Sequence, residues 1–242
     1  MKKKTAAIVL AGGRGTRTGR NVPKQYINVG GYPLLYYSLK TISDSFIDEI
    51  ILVCGEADRD HCMNDIVEKY HFTKVKSVVV GGRERYHSVY NGLTTLRCIA
   101  EGDSTDPCGI VFIHDGARPF VSEQILTRAY EAAEEFGAAV VAMPARDTVK
   151  LADDNGFAIE TLDRNSLWLM QTPQAFDFYD IYDAYSKLIA REAELLEKGV
   201  KVTDDAMVLE LFSDKKIKLV EGDARNFKVT TEEDLDLVGR YL

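Results

Sequence analysis

Short runs rich in β-branched residues recur along the first part of the chain, each separated from the next by a longer stretch of helical periodicity. The runs are residues 6–10, 49–54, 75–80, 110–114 and 138–142, and the helical stretches lie near 34–42, 58–70, 86–99 and 122–136. Strands and helices that alternate in this way bury both strand faces as a parallel sheet covered by helices on both sides, so an α/β fold is expected. In such sheets ligands bind beyond the carboxyl ends of the strands. LAGGRGTR, VGGRERYHS and IHDGARP each begin at such an end, so three motifs far apart in sequence are expected to converge on one crevice.

The alternation stops after Pro144. The stretch DTVKLADDNGFAIETLDR carries Asn155-Gly156, a strong signal for a two-residue hairpin turn, between runs that mix β-branched and polar residues. A lone hairpin is marginal in water, so this one is expected to rest either on its own domain or on a second subunit. Helices near 178–196 and 204–212, a strand at 217–220 and a closing helix at 231–242 complete the chain. A length of 242 residues suits one domain, 1–242, with residues 145–170 as an inserted β-arm.

Charge and composition exclude other classes. A net charge of -8 argues against general affinity for nucleic acid, which favours a basic surface. No apolar run is long enough to span a bilayer, and MKKKTAAIVLAGG continues into glycine and arginine where a leader would have a cleavage site, so a cytoplasmic protein is expected. Cys54, Cys62, Cys98 and Cys108 show no CxxC pair or metal-ligand spacing, and are expected to be reduced and mostly packed.

The stretch LAGGRGTRTGRNVPKQY combines flexible backbone with clustered charge. Glycines expose backbone N–H groups, and Arg14, Arg17, Arg20 and Lys24 add cations that repel one another unless an anion sits among them. A polyphosphate suits both features. The loop matches neither GxxxxGK[ST] nor GxGxxG, so neither a Walker-type site nor a dinucleotide fingerprint is indicated. A plain glycine turn with solvated arginines is the alternative.

This loop resembles the signature of the cytidylyltransferases that make CDP-alcohols, chiefly the branch acting on methylerythritol phosphate in non-mevalonate isoprenoid synthesis. The resemblance continues through GGRERYHSV, IHDGARPFV, PARDTVK, LDRNSLWLMQTPQAF, VTDDA and NFKVTTEEDL, spanning nearly the whole chain; Thr18, where the family often has methionine, departs from it. It implies a Rossmann-like nucleotidyltransferase fold, a mostly parallel twisted sheet with helices on both faces and a projecting β-hairpin arm. It implies that the alcohol's phosphate attacks the α-phosphate of CTP and expels pyrophosphate with Mg²⁺ present, which needs positioning and charge neutralisation but no protein nucleophile.

By the same resemblance Arg17, Lys24, Arg164 and Lys228 are catalytic. Ala11, Gly12, Gly13 and Gly15 hold the nucleotide through the main chain, and Gly82, Arg85 and Ser88 frame the cytosine and ribose. Asp115 meets the nucleotide, a substrate hydroxyl or Mg²⁺, which is held mainly by the CTP phosphates, while Arg118, Thr148, Arg164, Thr172, Thr203 and Lys228 bind the polyol phosphate. The resemblance further implies a homodimer through the arm, in which Thr148 and Arg164 reach the other chain's CTP site. Read without the resemblance, Asp115 and Arg118 make a salt bridge equally well, Ser88 is an ordinary helix-face serine, and His114 is structural. Asp204 and Asp205 are expected to cap the following helix. Two rivals remain: the ribitol-5-phosphate branch, against which Trp168 speaks softly, and a non-catalytic nucleotide sensor, against which the retained Arg17, Lys24, Asp115, Arg164 and Lys228 speak.

Overall fold

The computed structural model describes residues 2–13, 22–103, 105 and 107–242. In chain order its strands are β1 (Thr5–Ala11), β2 (Asn28–Val29), β3 (Tyr32–Pro33), β4 (Glu49–Cys54), β5 (Val75–Val80), β6 (Ile110–Asp115), β7 (Ala138–Pro144), β8 (Val149–Ala152), β9 (Ala158–Leu162), β10 (Trp168–Asp177) and β11 (Lys218–Glu221). The helices are α1 (Leu34–Asp44), α2 (Arg59–His61), α3 (Arg85–Gly102), α4 (Glu123–Phe136), α5 (Phe178–Ala190), α6 (Glu192–Glu197), α7 (Asp205–Phe212) and α8 (Glu232–Tyr241).

Seven strands form the main sheet in the order β11-β7-β10-β6-β1-β4-β5. Strand β1 pairs in parallel with β4 and β6, its residues alternating between two cores. Ala7 and Val9 face α1 and α4, whereas Ala6 and Ile8 face α3, α5 and α7. Burial on both faces is why these strands read as unbroken apolar runs.

The sheet is mostly parallel, as expected, with one antiparallel strand inside it. Strand β10 was not expected, and it runs antiparallel between β6 and β7 in the middle of the sheet. Its segment QTPQ is polar and contains a proline, and its register shifts between Met170 and Gln174, so it lacks the pattern of a central strand. The helix expected near 58–70 is a composite of α2 and a wider π-helical turn over Cys62–Glu68. The one expected over 178–196 is broken at Arg191, whose guanidinium turns onto Glu194.

The arm, β8 and β9, is a separate two-stranded sheet. Its turn is longer than the two residues expected: the ladder ends at Ala152 and Ala158, and only Gly156 takes the left-handed conformation, with φ 85°. The Asp153 carboxylate accepts from the Asn155 and Phe157 N–H groups, stabilising this wider turn in preference to the tight one. Among the described residues no helix is long and apolar enough to cross a membrane.

Candidate active site

The three motifs do converge. Beyond the carboxyl ends of β1, β5 and β6 lies a cavity of about 640 Å³, within the range of small-ligand sites. Ala11, Gly12 and Gly13 line it from the end of β1 and just beyond, Gly82 from the loop before α3, and Arg85 and Ser88 from the start of α3. Asp115 forms part of its floor, while Lys24 and Lys228 enter from two later segments. The predicted Gly15 and Arg17 lie outside the described residues.

Local contacts explain how each group is held. The Gln25 side chain donates to the carbonyls of Ala11 (2.6 Å) and Gly13 (3.0 Å), fastening the glycine loop from below. Next to it, Lys24 is almost wholly buried, and its Nζ donates to the Val229 carbonyl at 2.6 Å. Ser88 Oγ accepts from Gly82 N–H at 3.1 Å, drawing the loop over the first turn of α3. Glu84 caps that helix reciprocally with His87, so the positive end of an 18-residue helix faces the cavity.

The floor is an ordered array of opposite charges. Arg85 grips Asp205 with two 2.7 Å hydrogen bonds and lies 3.4 Å from Asp115 through Nε. Lys228 Nζ approaches the other Asp115 oxygen at 2.8 Å. Burial by itself would raise the Asp115 carboxyl, but Arg85 and Lys228, with Arg118 behind them, hold it well below the usual carboxylate range. The same balance works on Arg85: burial disfavours its charge, and Asp205 more than compensates. The Asp115–Arg118 salt bridge considered from sequence is absent from these pairings. Arg118 is buried and donates to the Asn226 carbonyl at 2.8 Å.

Thr172 sits beneath this floor. Its hydroxyl accepts from Asp115 N–H at 3.1 Å and bonds His114 Nδ1 at 3.0 Å. His114 is fully buried, and its burial pulls the imidazole down to about 4, so it is neutral at ordinary pH and structural, as expected. Asp204 caps α7 by accepting from Met207 N–H, whereas Asp205 turns inward to Arg85 and Tyr185.

Of the seven predicted substrate residues only Asp115 and Lys228 line the cavity; Arg118 and Thr172 are buried behind its floor, and Thr148, Arg164 and Thr203 lie on the surface. Thr203 is exposed and contacts Met207 Sδ. Thr148 and Arg164 lie on the exposed arm, where Arg164 bonds the Arg146 carbonyl. Sequence reasoning missed Gln25 and Asn226, and took Asp205 only as a cap. Gln25 had one signal, an amide directly after Lys24 in PKQY; the other two act on residues far along the chain.

A Rossmann-like α/β sheet whose strand ends gather a glycine loop, a helix N-terminus and convergent cations is the architecture of a nucleotidyltransferase. The family model for IspD, 2-C-methyl-D-erythritol 4-phosphate cytidylyltransferase, matches residues 5–242, and the chain belongs to this family of cytidylyltransferases. It is similar to the protein of that name from Clostridium beijerinckii, with 45% identity over 98% of this chain and 97% of the relative. The Caldanaerobacter subterraneus relative of the same name is 40% identical, with 98% of each chain covered. Among solved structures, the 4-diphosphocytidyl-2C-methyl-D-erythritol synthase of Anaerococcus prevotii superposes with TM-score 0.82 at 37% identity, covering 99% of this chain and 96% of that one. The Thermus thermophilus cytidylyltransferase gives 0.71 at 26% identity, with 97% and 96% covered.

Proposed function

We propose that this chain transfers CMP from CTP to 2-C-methyl-D-erythritol 4-phosphate, giving 4-diphosphocytidyl-2-C-methyl-D-erythritol and pyrophosphate. The observation that carries the reading is the convergence of the glycine loop, the α3 N-terminus, Lys24 and Lys228 on one cavity, within a chain of the IspD family. A phosphate oxygen of the alcohol attacks the CTP α-phosphorus, and the bond to the β-phosphate oxygen breaks as pyrophosphate leaves. The attacking oxygen is already anionic, so no general base is required, in keeping with a neutral, buried His114. Lys24 and Arg17 neutralise charge on the pentacovalent centre, while Lys228 and Arg164 hold the attacking phosphate. Main-chain N–H groups of the glycine loop meet the triphosphate, and Gly82, Arg85 and Ser88 frame the nucleoside.

The family's dependence on a divalent cation suits this donor set. Among the described residues no three His, Cys, Asp or Glu side chains are grouped to cage a metal. Asp115, with Lys228 and Arg85 already beside it, offers one carboxylate, which fits a Mg²⁺ carried mainly by nucleotide phosphates. Such an ion supplies charge neutralisation across the phosphates. The solvent-facing arm supports a homodimer in which Thr148 and Arg164 complete the partner's site. The test is pyrophosphate release with CTP and Mg²⁺, methylerythritol phosphate and ribitol phosphate being supplied in parallel. Preference for the first is expected; preference for ribitol phosphate, or CTP binding with no pyrophosphate from either, overturns the reading.

A further inference from the structure

The segment between β11 and α8, residues 222–231, has no regular secondary structure, yet it presents both lysines of the cavity. Lys228 belongs to it, and the Val229 carbonyl accepts from Lys24 Nζ. Irregular backbone holds such groups only if something fixes it, and here two buried side-chain amides do. Asn226, with no exposed surface, donates from Nδ2 to Gln171 Oε1 at 3.1 Å and to the Thr172 carbonyl at 2.8 Å. Gln171 answers by donating from Nε2 to the Asp223 carbonyl at 2.9 Å. The Asn226 carbonyl receives Arg118 at the same point.

Two further details show that the contact is built for these groups. A Cβ on Gly222 would stand 2.4 Å from Gln171 Oε1, so glycine there lets the amide seat against the backbone. The two acceptors around Asn226 Nδ2 fix the amide's orientation, since the reversed one would set oxygen against two oxygens. On the other side, Gln171 adjoins Thr172, whose hydroxyl holds the Asp115 N–H. The amide pair thus joins the strand beneath Asp115 to the segment that carries Lys228.

We propose that Gln171 and Asn226 are positioning residues for cytidylyl transfer: a clamp of two amides that sets Lys228 against Asp115 and holds the carbonyl that orients Lys24. This rests on the transfer reading above. Neither residue touches the reacting phosphates, so the clamp acts only through the placement of the two ammonium groups, to which phosphoryl transfer is sensitive on the ångström scale.

The test is steady-state kinetics together with CTP binding by calorimetry. Asn226→Ala is expected to lower kcat by roughly 10- to 100-fold and raise KM for the polyol phosphate, while the CTP Kd stays within about 2-fold. Gln171→Glu, which keeps the acceptor for Asn226 but loses the donor to Asp223, is expected to show the same split with a smaller loss. Combined with Lys228→Ala and followed with radiolabelled CTP, Asn226→Ala is expected to cost less than the product of the two single losses. An unchanged kcat in either single variant that still binds CTP overturns the proposal, as does a full product in the double variant. Loss of CTP binding in parallel with kcat marks a merely structural role and also overturns it; should Asn226→Ala fail to fold, Gln171→Glu decides. Wild-type protein that binds CTP but releases no pyrophosphate would defeat the transfer reading itself, independently of the clamp.

Discussion

The cavity and the arm solve opposite problems. Around the cavity charged groups are buried and matched: Asp115 lies between Arg85 and Lys228, and Asp205 sits fully buried under a forked guanidinium. Along the arm apolar groups are exposed and unmatched, with Phe157 72% and Ile159 63% exposed. A buried charge is tolerable only with its partner in place, whereas an exposed apolar side chain gains by meeting another surface. The difference teaches that the described nucleotide-side groups find their charge partners within one chain, whereas the arm leaves its apolar side chains to solvent.

The sharpest way to probe the cavity is Lys24→Ala. Turnover should fall by about 10²–10³-fold, or ~2.7–4 kcal/mol, as for loss of a preorganised charge-stabilising donor, while CTP affinity changes much less. Pyrophosphate release and calorimetry on the same preparation check this, and an unchanged rate removes Lys24 from the chemistry.

Stability against pH sharpens the same side. His114 is held down to about 4 by burial, against about 6.5 when unfolded, so its contribution to stability is present above pH ~6.5 and is lost as pH falls toward 4. The loss is on the order of 3 kcal/mol, from the shift at about 1.36 kcal/mol per unit. Denaturant melts across this range should show the decline, and a His114→Asn variant should show a shallower one; equal slopes would refute the assignment.

A mixing experiment breaks the comparison if the arm serves its own chain. Arg164→Ala and Lys24→Ala homodimers should each be nearly inactive. After random exchange about half the dimers are mixed, each with one intact site of two, so roughly a quarter of wild-type activity should return. Verified exchange without recovery places Arg164 elsewhere. The smallest effect concerns the arm's turn: Gly156→Ala forces a Cβ into φ 85° and should cost about 1 kcal/mol locally, loosening the arm without altering CTP affinity.

Legibility in the sequence followed burial. Strands β1, β4 and β6 could be read because both faces are covered, and the cavity because its motifs start where β1, β5 and β6 stop. Strand β10 could not, since Gln171, Thr172, Pro173 and Gln174 are polar or ladder-breaking yet lie in the middle of the sheet. The supports of the site were hidden for another reason. Arg85 meets Asp205 across 120 positions and Asn226 meets Gln171 across 55, distances over which no local pattern carries information. Gly12, Lys24, Asp115 and Lys228 came from resemblance and local motif; what holds them came from the fold.

The placement of β10 also has a consequence for the order of events during synthesis. As the chain emerges, β6 and β7 are complete many residues before the strand that belongs between them. Until residues 168–177 arrive and insert, the central gap of the sheet stays open and Thr172 is not yet under Asp115. Closing that gap joins segments distant in sequence, the costly class of contact in folding. The floor of the cavity is therefore laid late, and a ribosome-bound chain ending before β10 lacks it even with every residue of the glycine loop already made.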